Sequence, residues 1–423
     1  MTPILCPPTE PAIRRGIKTV GIGKKGSKAL DAALIEEIIR DLRENRVAPA
    51  AKGAFFAALV LKGPTPAELA FDQVFSPGTL QDPQRLVEAL CPEAPDFVKE
   101  ICEEILQGKT INTATARQLG DFLLSDQLGD AARGLVASAL RVRYETPEEY
   151  EGLLLSMQAT LETPFREEVP PGAPIIQLAE PFDGVDQSYL ITPLLADFFR
   201  EENYRVVSLV GRNSGPKSGN TLLDLAQALE AVFLKRNQDL QGEGLAFGWY
   251  VHQQDLSHPV DRWVEIRRQT IKRPFLSTLE KFLNPFGAHL VITSAFHPPY
   301  TEKMITVAEA AGFPTAIVVR NGLEGTLAFG LKRPVKILCS VRQAQGEYIR
   351  HELEFDPEKC LGVVVPWEEK LEKPSLSENG RLIQTFKAQG QTDYQLFDLR
   401  VRATCAGLKQ AIDWVKQRTS CLG

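Results

Sequence analysis

Cysteine, methionine and histidine are scarce in this sequence, and none of them is arranged for chemistry. Seven cysteines (Cys6, Cys91, Cys102, Cys339, Cys360, Cys405 and Cys421) are scattered, odd in number and never spaced C-x-x-C. They give neither a disulfide framework nor a zinc site. The five histidines (His252, His258, His289, His297 and His351) also lack the spacing of metal ligands. No apolar run approaches the ~20 residues that span a bilayer, and no charged start followed by an apolar stretch marks a secretory signal. The expectation is a soluble protein of the cytoplasm with no membrane partner. An excess of positive charge is missing too: 48 lysines and arginines stand against 54 acids, a net charge of −6. That balance argues against a general polyanion binder.

The distribution of the cations is less even than the total. Pro11 to Leu30 carries six cations (Arg14, Arg15, Lys18, Lys24, Lys25 and Lys28) and no acid, and Asn203 to Leu223 carries three (Arg205, Arg212 and Lys217) with none. Arg262 to Arg273 carries five against the single acid Glu265. Such clusters can build a local positive surface on an acidic protein, or they can be solvated faces.

At 423 residues two domains are expected. Residues 30–162 read as a helical domain, with apolar residues at helical spacing in IEEIIRDL, KGAFFAALVL, LVEAL and DFVKEICEEIL. Within them, residues 34–69 and 115–150 share one pattern at an offset of 81 without a gap. Leu42 meets Leu123, Gly53 meets Gly134, Leu59 meets Leu140, Thr65 meets Thr146 and Glu68 meets Glu149. The shared T-P-x-E element is a helix start, with threonine as cap and proline in the first turn. The reading is a duplicated helical unit, 30–75 and 111–156, preceded by an N-terminal arm, 1–29. The Pro-rich segment 163–174 marks the boundary to an α/β domain, 163–423, in which apolar runs such as PIIQLA, YRVVSLVG, AHLVITSAF and PTAIVVR alternate with helical patterns. That alternation predicts a largely parallel sheet. PVKILCSV, YIRHELEF and GVVVPW read as later strands, KPSLSENG (373–380) as an exposed loop, and LFDLRVRATCAGLKQAIDWVKQ (396–417) as a closing amphipathic helix.

Three loops are candidates for chemistry. The stretch LVGRNSGPKSGNTLLDLAQAL (209–229) superficially resembles a phosphate-binding loop, but Pro216 stands where a glycine N–H is needed. What remains is a Gly- and Ser-rich turn, with Gly211, Arg212, Lys217 and Ser218 ahead of a helix, which reads either as an anion site or as a plain connection. In AEPFDGVDQSYLITP (179–193), Asp183 and Asp186 flank Gly184 and read either as magnesium ligands or as turn formers. In EIRRQTIKRPFLSTLEKFLNP (265–285), the arginines suit phosphates and carboxylates. A G-x-G-x-x-G at Gly21, Gly23 and Gly26 has no apolar strand ahead of it and reads as a solvated loop.

Several of these stretches together resemble glycosyltransferase family 3, the anthranilate phosphoribosyltransferase-like proteins, with most similarity to their divergent YbiB-type branch. KGAFFAALVLKGPTPAEL resembles the family's N-terminal helical signature, RRQTIKRPFLSTLEKFLNP its R-x-x-L-G-x-R-T-x-F element, and FHPPYTEKMITVAEAAGFPTAIVVRNGLEGTL its strand, helix, strand and following loop. The resemblance covers most of residues 16–330. It implies an all-α N-terminal domain with an α/β domain, a homodimer formed through the helices, and phosphoribosyl pyrophosphate with magnesium in the active members.

The family's catalytic motifs are altered in this chain. Where active members have G-T-G-G-D, only Gly184 remains; where they have K-H-G-N-R, the chain has Leu209, Val210, Gly211, Arg212 and Asn213. The acidic pair of the last loop is reduced to Glu324, followed by GTLAFG. Arg267 and Arg273 keep the six-residue spacing of two family arginines, the first of which faces the acceptor carboxylate in active members. SYLITPLLADFF matches the N-L-T-P-L-L element of the YbiB-type branch, which is associated with nucleic-acid binding.

Two functions follow from the resemblance. One is a protein that binds a phosphate-bearing small molecule or single-stranded nucleic acid, with little or no classical transferase activity. The other is an active pentosyltransferase with a changed site. The phosphate candidates are Asp183, Gly184, Asp186, Gly211, Arg212, Lys217, Ser218, Arg267 and Arg273. The nucleic-acid candidates are Lys24, Lys25, Lys28, Arg212, Lys217, Arg268 and Lys272.

Overall fold

In the first 160 residues, several helices start where a short polar side chain caps them, and they bury the face their apolar spacing dictates. The computed structural model describes residues 10–23, 26–217, 219–241, 245–365, 371 and 374–419. Among these residues, eight α-helices come first: α1 Ala12–Val20, α2 Ala32–Arg43, α3 Pro49–Lys62, α4 Pro83–Leu90, α5 Asp96–Leu106, α6 Thr113–Leu124, α7 Asp130–Arg143 and α8 Pro147–Ala159. Asp31 caps α2 by accepting from the Leu34 N–H, and Asn112 caps α6 by accepting from the Thr115 N–H, 81 residues later. On α2 the buried residues Ile35, Ile38, Ile39 and Leu42 repeat at the helical period. The segment read as an arm contains α1, whose Ile13, Ile17 and Val20 are buried. Gly21 therefore follows a helix and not a strand, which removes the context a dinucleotide fingerprint requires.

The chain divides into two units, one of residues 1–156 with 262–276, the other of 157–261 with 277–423. The helical unit thus takes back 262–276, a segment the sequence assigns to the α/β part. Within this unit α3 and α7 cross at their glycines. A Cβ on Gly53 would lie 1.9 Å from the Ala131 carbonyl oxygen, and one on Gly134 would lie 1.9 Å from that of Ala50. The two contacts are the same contact read from either copy, as at a two-fold interface. Only glycine permits backbones to approach so closely.

The T-P-x-E elements carry matching networks. Glu68 accepts from the Leu30 N–H (2.9 Å), the Thr65 N–H (2.7 Å) and the Lys62 ammonium (2.7 Å). Glu149 accepts from the Ile111 N–H (3.0 Å), the Thr146 N–H (2.9 Å) and the Arg143 guanidinium (2.6 Å). Every partner is displaced by the same 81 residues. Both carboxylates are fully buried, and both threonine hydroxyls accept in return from the glutamate N–H, the reciprocal pattern of a capping box.

The second unit holds an eight-stranded sheet: β1 Ile175–Ala179, β2 Arg205–Val210, β3 Val232–Phe233, β4 Trp249–His252, β5 Leu290–Ala295, β6 Thr315–Arg320, β7 Val335–Arg342 and β8 Tyr348–Phe355. Its order is β3-β4-β2-β1-β5-β6-β7-β8. The first six strands are parallel, and β7 and β8 are antiparallel to their neighbours. β1, β2 and β5 are buried almost end to end, which is why they read as near-continuous apolar runs broken only by buried Gln177, Ser208, Thr293 and Ser294. Strand order reverses between β1 and β5, and ligands of such sheets bind outside the carboxyl ends at that point.

Two expectations are corrected near the C-terminus. KPSLSENG is not an exposed loop from Leu376 on: Ser375 accepts from the Glu378 N–H and starts the helix Leu376–Gln389, whose Asn379 is buried on Leu190. In GVVVPW the described residues 362–365 are not a strand, because Gly362, at φ 65°, ends the short helix Pro357–Leu361. The closing helix runs from Gln395 to Lys416. Among the described residues, no helix is long and apolar enough to cross a membrane.

Candidate functional site: an oxyanion held at the carboxyl ends of the strands

Three loops of the α/β unit meet around one side chain. The loop after β1 brings Asp186, Gln187 and Ser188, the loop after β2 brings Lys217, and the loop after β6 brings Glu324. One oxygen of the Glu324 carboxylate, Oε1, accepts from the Asp186 N–H (3.0 Å) and the Lys217 ammonium (3.0 Å). The other, Oε2, accepts from the Gln187 N–H (3.0 Å) and the Ser188 hydroxyl (2.7 Å). Consecutive N–H groups with an ammonium and a hydroxyl form an anion nest. Burial alone would push the Glu324 carboxyl up, but the hydrogen bonds from Asp186, Ser188 and Gln187 and the charge of Lys217 outweigh it and hold it below the usual carboxylate range.

Backbone geometry explains how the loops reach each other. Gly184 has φ +66°, and a Cβ there would lie 1.9 Å from the Asn220 carbonyl oxygen, so the first two loops touch through backbone. Val185 and Asn220 form an isolated antiparallel bridge at this contact. Lys217 ties the arrangement together, donating also to the carbonyls of Gly184 and Glu324, each at 3.2 Å. Gly211 packs against the Phe182 ring, 2.5 Å from where a Cβ would stand.

The other candidates separate. Arg212 does not join Lys217 on one anion: its guanidinium grips Asp261 through Nε (3.1 Å) and Nη2 (2.8 Å), a bidentate pair with a nearly buried carboxylate. Asp183 is buried, and Asp186 contributes its N–H to Glu324. Ser218, Lys24 and Lys25 lie outside the described residues. Arg267 and Arg273 belong to the helical unit, Arg267 buried at 3% exposure and Arg273 accepting on its carbonyl from Arg141 (2.8 Å). Lys28, Arg268 and Lys272 belong to the helical unit as well, whereas Arg212 and Lys217 are in the α/β unit.

In the helical unit Lys272 lies on the Lys18 carbonyl (3.4 Å). Burial, and then the charges of Arg141 and Lys18, hold its ammonium below the usual lysine value. Arg268 pairs with Glu265 and accepts on its carbonyl from Arg14.

Sequence reasoning missed Glu180, at the carboxyl end of the central strand. It is 1% exposed, and burial pushes its carboxyl up to about 7 against the opposing effects of Thr192, the Leu327 N–H, Lys281 and Lys217. Thr192 donates to it at 2.5 Å and the Leu327 N–H at 3.1 Å. The available signal was an acid placed directly after a buried apolar run.

Magnesium is implied here by the family resemblance alone. Among the described residues no three His, Cys, Asp or Glu side chains cluster to hold a metal ion. Glu324, the acid left from the family's pair, is already committed to an ammonium and three other donors.

No family profile matches the chain. An uncharacterized protein of Aquifex aeolicus (strain VF5) is 22% identical over 294 residues, which is 69% of this chain and 86% of that protein. Among solved structures, the chain is similar to anthranilate phosphoribosyltransferase from Thermus thermophilus, with a TM-score of 0.53 and 18% identity over 78% of this chain and 99% of that one. It is also similar to the Saccharomyces cerevisiae anthranilate phosphoribosyltransferase in complex with PRPP and Mg, with a TM-score of 0.53 and 12% identity over 77% and 99%. At these identities the likeness speaks for architecture: an all-α unit and an α/β unit in the anthranilate phosphoribosyltransferase fold.

Proposed function

We propose that this chain binds a phosphate-bearing ligand at the loops following β1, β2 and β6 and has little or no phosphoribosyl transfer to anthranilate. The observation that carries the reading is the set of four donors, from Asp186, Gln187, Ser188 and Lys217, directed at one oxyanion. Phosphate oxygens suit such donors as well as a carboxylate does. Against transfer stand the altered G-T-G-G-D and K-H-G-N-R motifs, since preorganised charge stabilisation is commonly the largest single catalytic contribution. No step is routed through magnesium.

Calorimetry with pyrophosphate, and a fluorescence assay with phosphoribosyl pyrophosphate, magnesium and anthranilate, test this reading. The expected result is pyrophosphate binding that weakens about tenfold or more in Lys217→Ala, because a hydrogen bond to a charged group contributes about 1.5–3 kcal/mol. No turnover above the uncatalysed rate is expected. Magnesium-dependent turnover, or binding indifferent to Lys217, would favour an active pentosyltransferase with an aromatic or carboxylate-bearing acceptor.

A second reading places single-stranded nucleic acid on the helical unit, where Lys18, Arg141 and Lys272 raise one another's local potential. Binding there would show little sequence preference and would fall steeply with salt. Absence of any mobility shift at low salt removes it. Pairing of two chains through the helical unit belongs to the same family-based proposal, and sedimentation at micromolar concentration checks it.

A further inference from the structure

We infer that Glu324 is an internal stand-in for the ligand: its carboxylate closes the anion nest, and a phosphate group binds by displacing it. The inference rests on the proposed phosphate reading of these loops and adds how the site is regulated. The carboxylate uses all four donors that the nest offers, two per oxygen, so no phosphate oxygen can reach them while it is in place.

The segment carrying Glu324 is built to hold it there against local preference. Glu324 itself has φ 54° and ψ 15°, Asn321 has φ 60° and Gly325 has φ 89°. Non-glycine residues in this region store backbone strain, and they persist where the surroundings over-determine them. Here the surroundings are the four donors and the Lys217 bond to the Glu324 carbonyl. At the base of the loop, a Cβ on Gly322 would stand 2.1 Å from the Ser294 Oγ, and that hydroxyl is buried without a hydrogen-bond partner. A buried, unsatisfied hydroxyl under a strained turn is an energetic deficit that a different loop position can relieve.

Ligand and carboxylate then compete for one nest. Pyrophosphate carries more charge and more acceptors than a carboxylate, and releasing Glu324 also releases backbone strain. The apparent affinity of the intact protein is reduced by the fraction of molecules in which the nest is open.

Titration with inorganic pyrophosphate tests this on the full chain, using Glu324→Gly and Glu324→Gln. Glycine accepts the positive φ, so the first variant removes the carboxylate without opposing the backbone conformation. Glutamine keeps an acceptor of the same reach and loses the charge. Glu324→Gly is expected to bind pyrophosphate about tenfold tighter or more than the unaltered chain, corresponding to an open fraction of about a tenth or less. Glu324→Gln falls between them, and pyrophosphate raises the melting temperature of Glu324→Gly more than that of the unaltered chain. Equal affinity of all three, with Lys217→Ala still weakening each, overturns the competition and leaves the phosphate reading standing. No binding to any of them, or binding that ignores Lys217, overturns the phosphate reading and the inference with it.

Discussion

Glu68 and Glu149 in the helical unit and Glu324 in the α/β unit are surrounded by the same chemistry. Each accepts from two backbone N–H groups and a cation, and each has a serine or threonine hydroxyl within its network. They differ in where the acid is mounted. Glu68 and Glu149 are fully buried at helix starts, where each takes the N–H of its own cap threonine together with an N–H just ahead of another helix's cap. Glu324 keeps 17% of its side chain exposed and sits on a turn with a left-handed backbone. An acid that completes its own secondary structure is a structural element. One held on a strained loop over donors from other loops resembles a ligand more than a brace.

The largest loss of stability is expected at Glu149. Glu149→Ala leaves the buried Arg143 guanidinium without its carboxylate, and losing one partner of such a pair costs about 3–5 kcal/mol. Glu324→Gly should cost less than about 1 kcal/mol, because Lys217 can reach water and the backbone strain is relieved. Urea denaturation of the two variants compares them, and equal losses would make Glu324 an ordinary brace.

Next in size, Gly53→Ala and Gly134→Ala should each lose about 1–3 kcal/mol or more, since their methyl groups would drive into the Ala131 and Ala50 carbonyls. The two losses should match within a few tenths, because they report one repeated contact. A neutral result at either glycine would separate the copies.

A smaller effect concerns pH. Glu180 has a folded-state pKa raised to about 7 from an ordinary value of 4.5, so its contribution favours the fold at acidic pH and is lost as pH rises through that window. Glu180→Gln removes the titration while keeping the acceptor for Thr192 and Leu327. Its stability relative to the unaltered chain should therefore improve between pH 5 and pH 8. A pH-independent difference would mean that Glu180 does not titrate there.

The helical repeat was legible because the 81-residue offset has no gap, so caps, glycines and acids register one against one. The strands were legible because a central parallel sheet needs near-continuous apolar runs. The helix from Leu376 was missed because its signal is the cap at Ser375 and not a hydrophobic period. The site was legible only in fragments. Lys217 and Glu324 are far apart in the chain, and their contact depends on the Val185–Asn220 bridge and the positive φ at Gly184, neither of which leaves a periodic trace. The basic clusters misled in part: Arg212 is taken up by Asp261, and a run of cations in sequence does not reveal which acids the fold will return to it.

Hydrogen exchange of the unaltered chain, with and without saturating pyrophosphate, separates displacement of Glu324 from binding beside it. The Leu323 N–H is held by the Ala328 carbonyl and the Thr326 N–H by the Leu323 carbonyl, so both report whether the Glu324 turn is in place. Displacement by phosphate predicts faster exchange across 322–328, while the Asp186 and Gln187 amides, passing from carboxylate to phosphate, stay protected. Unchanged exchange at 322–328 in a chain that binds pyrophosphate through Lys217 would show that Glu324 stays in the nest when the ligand is bound.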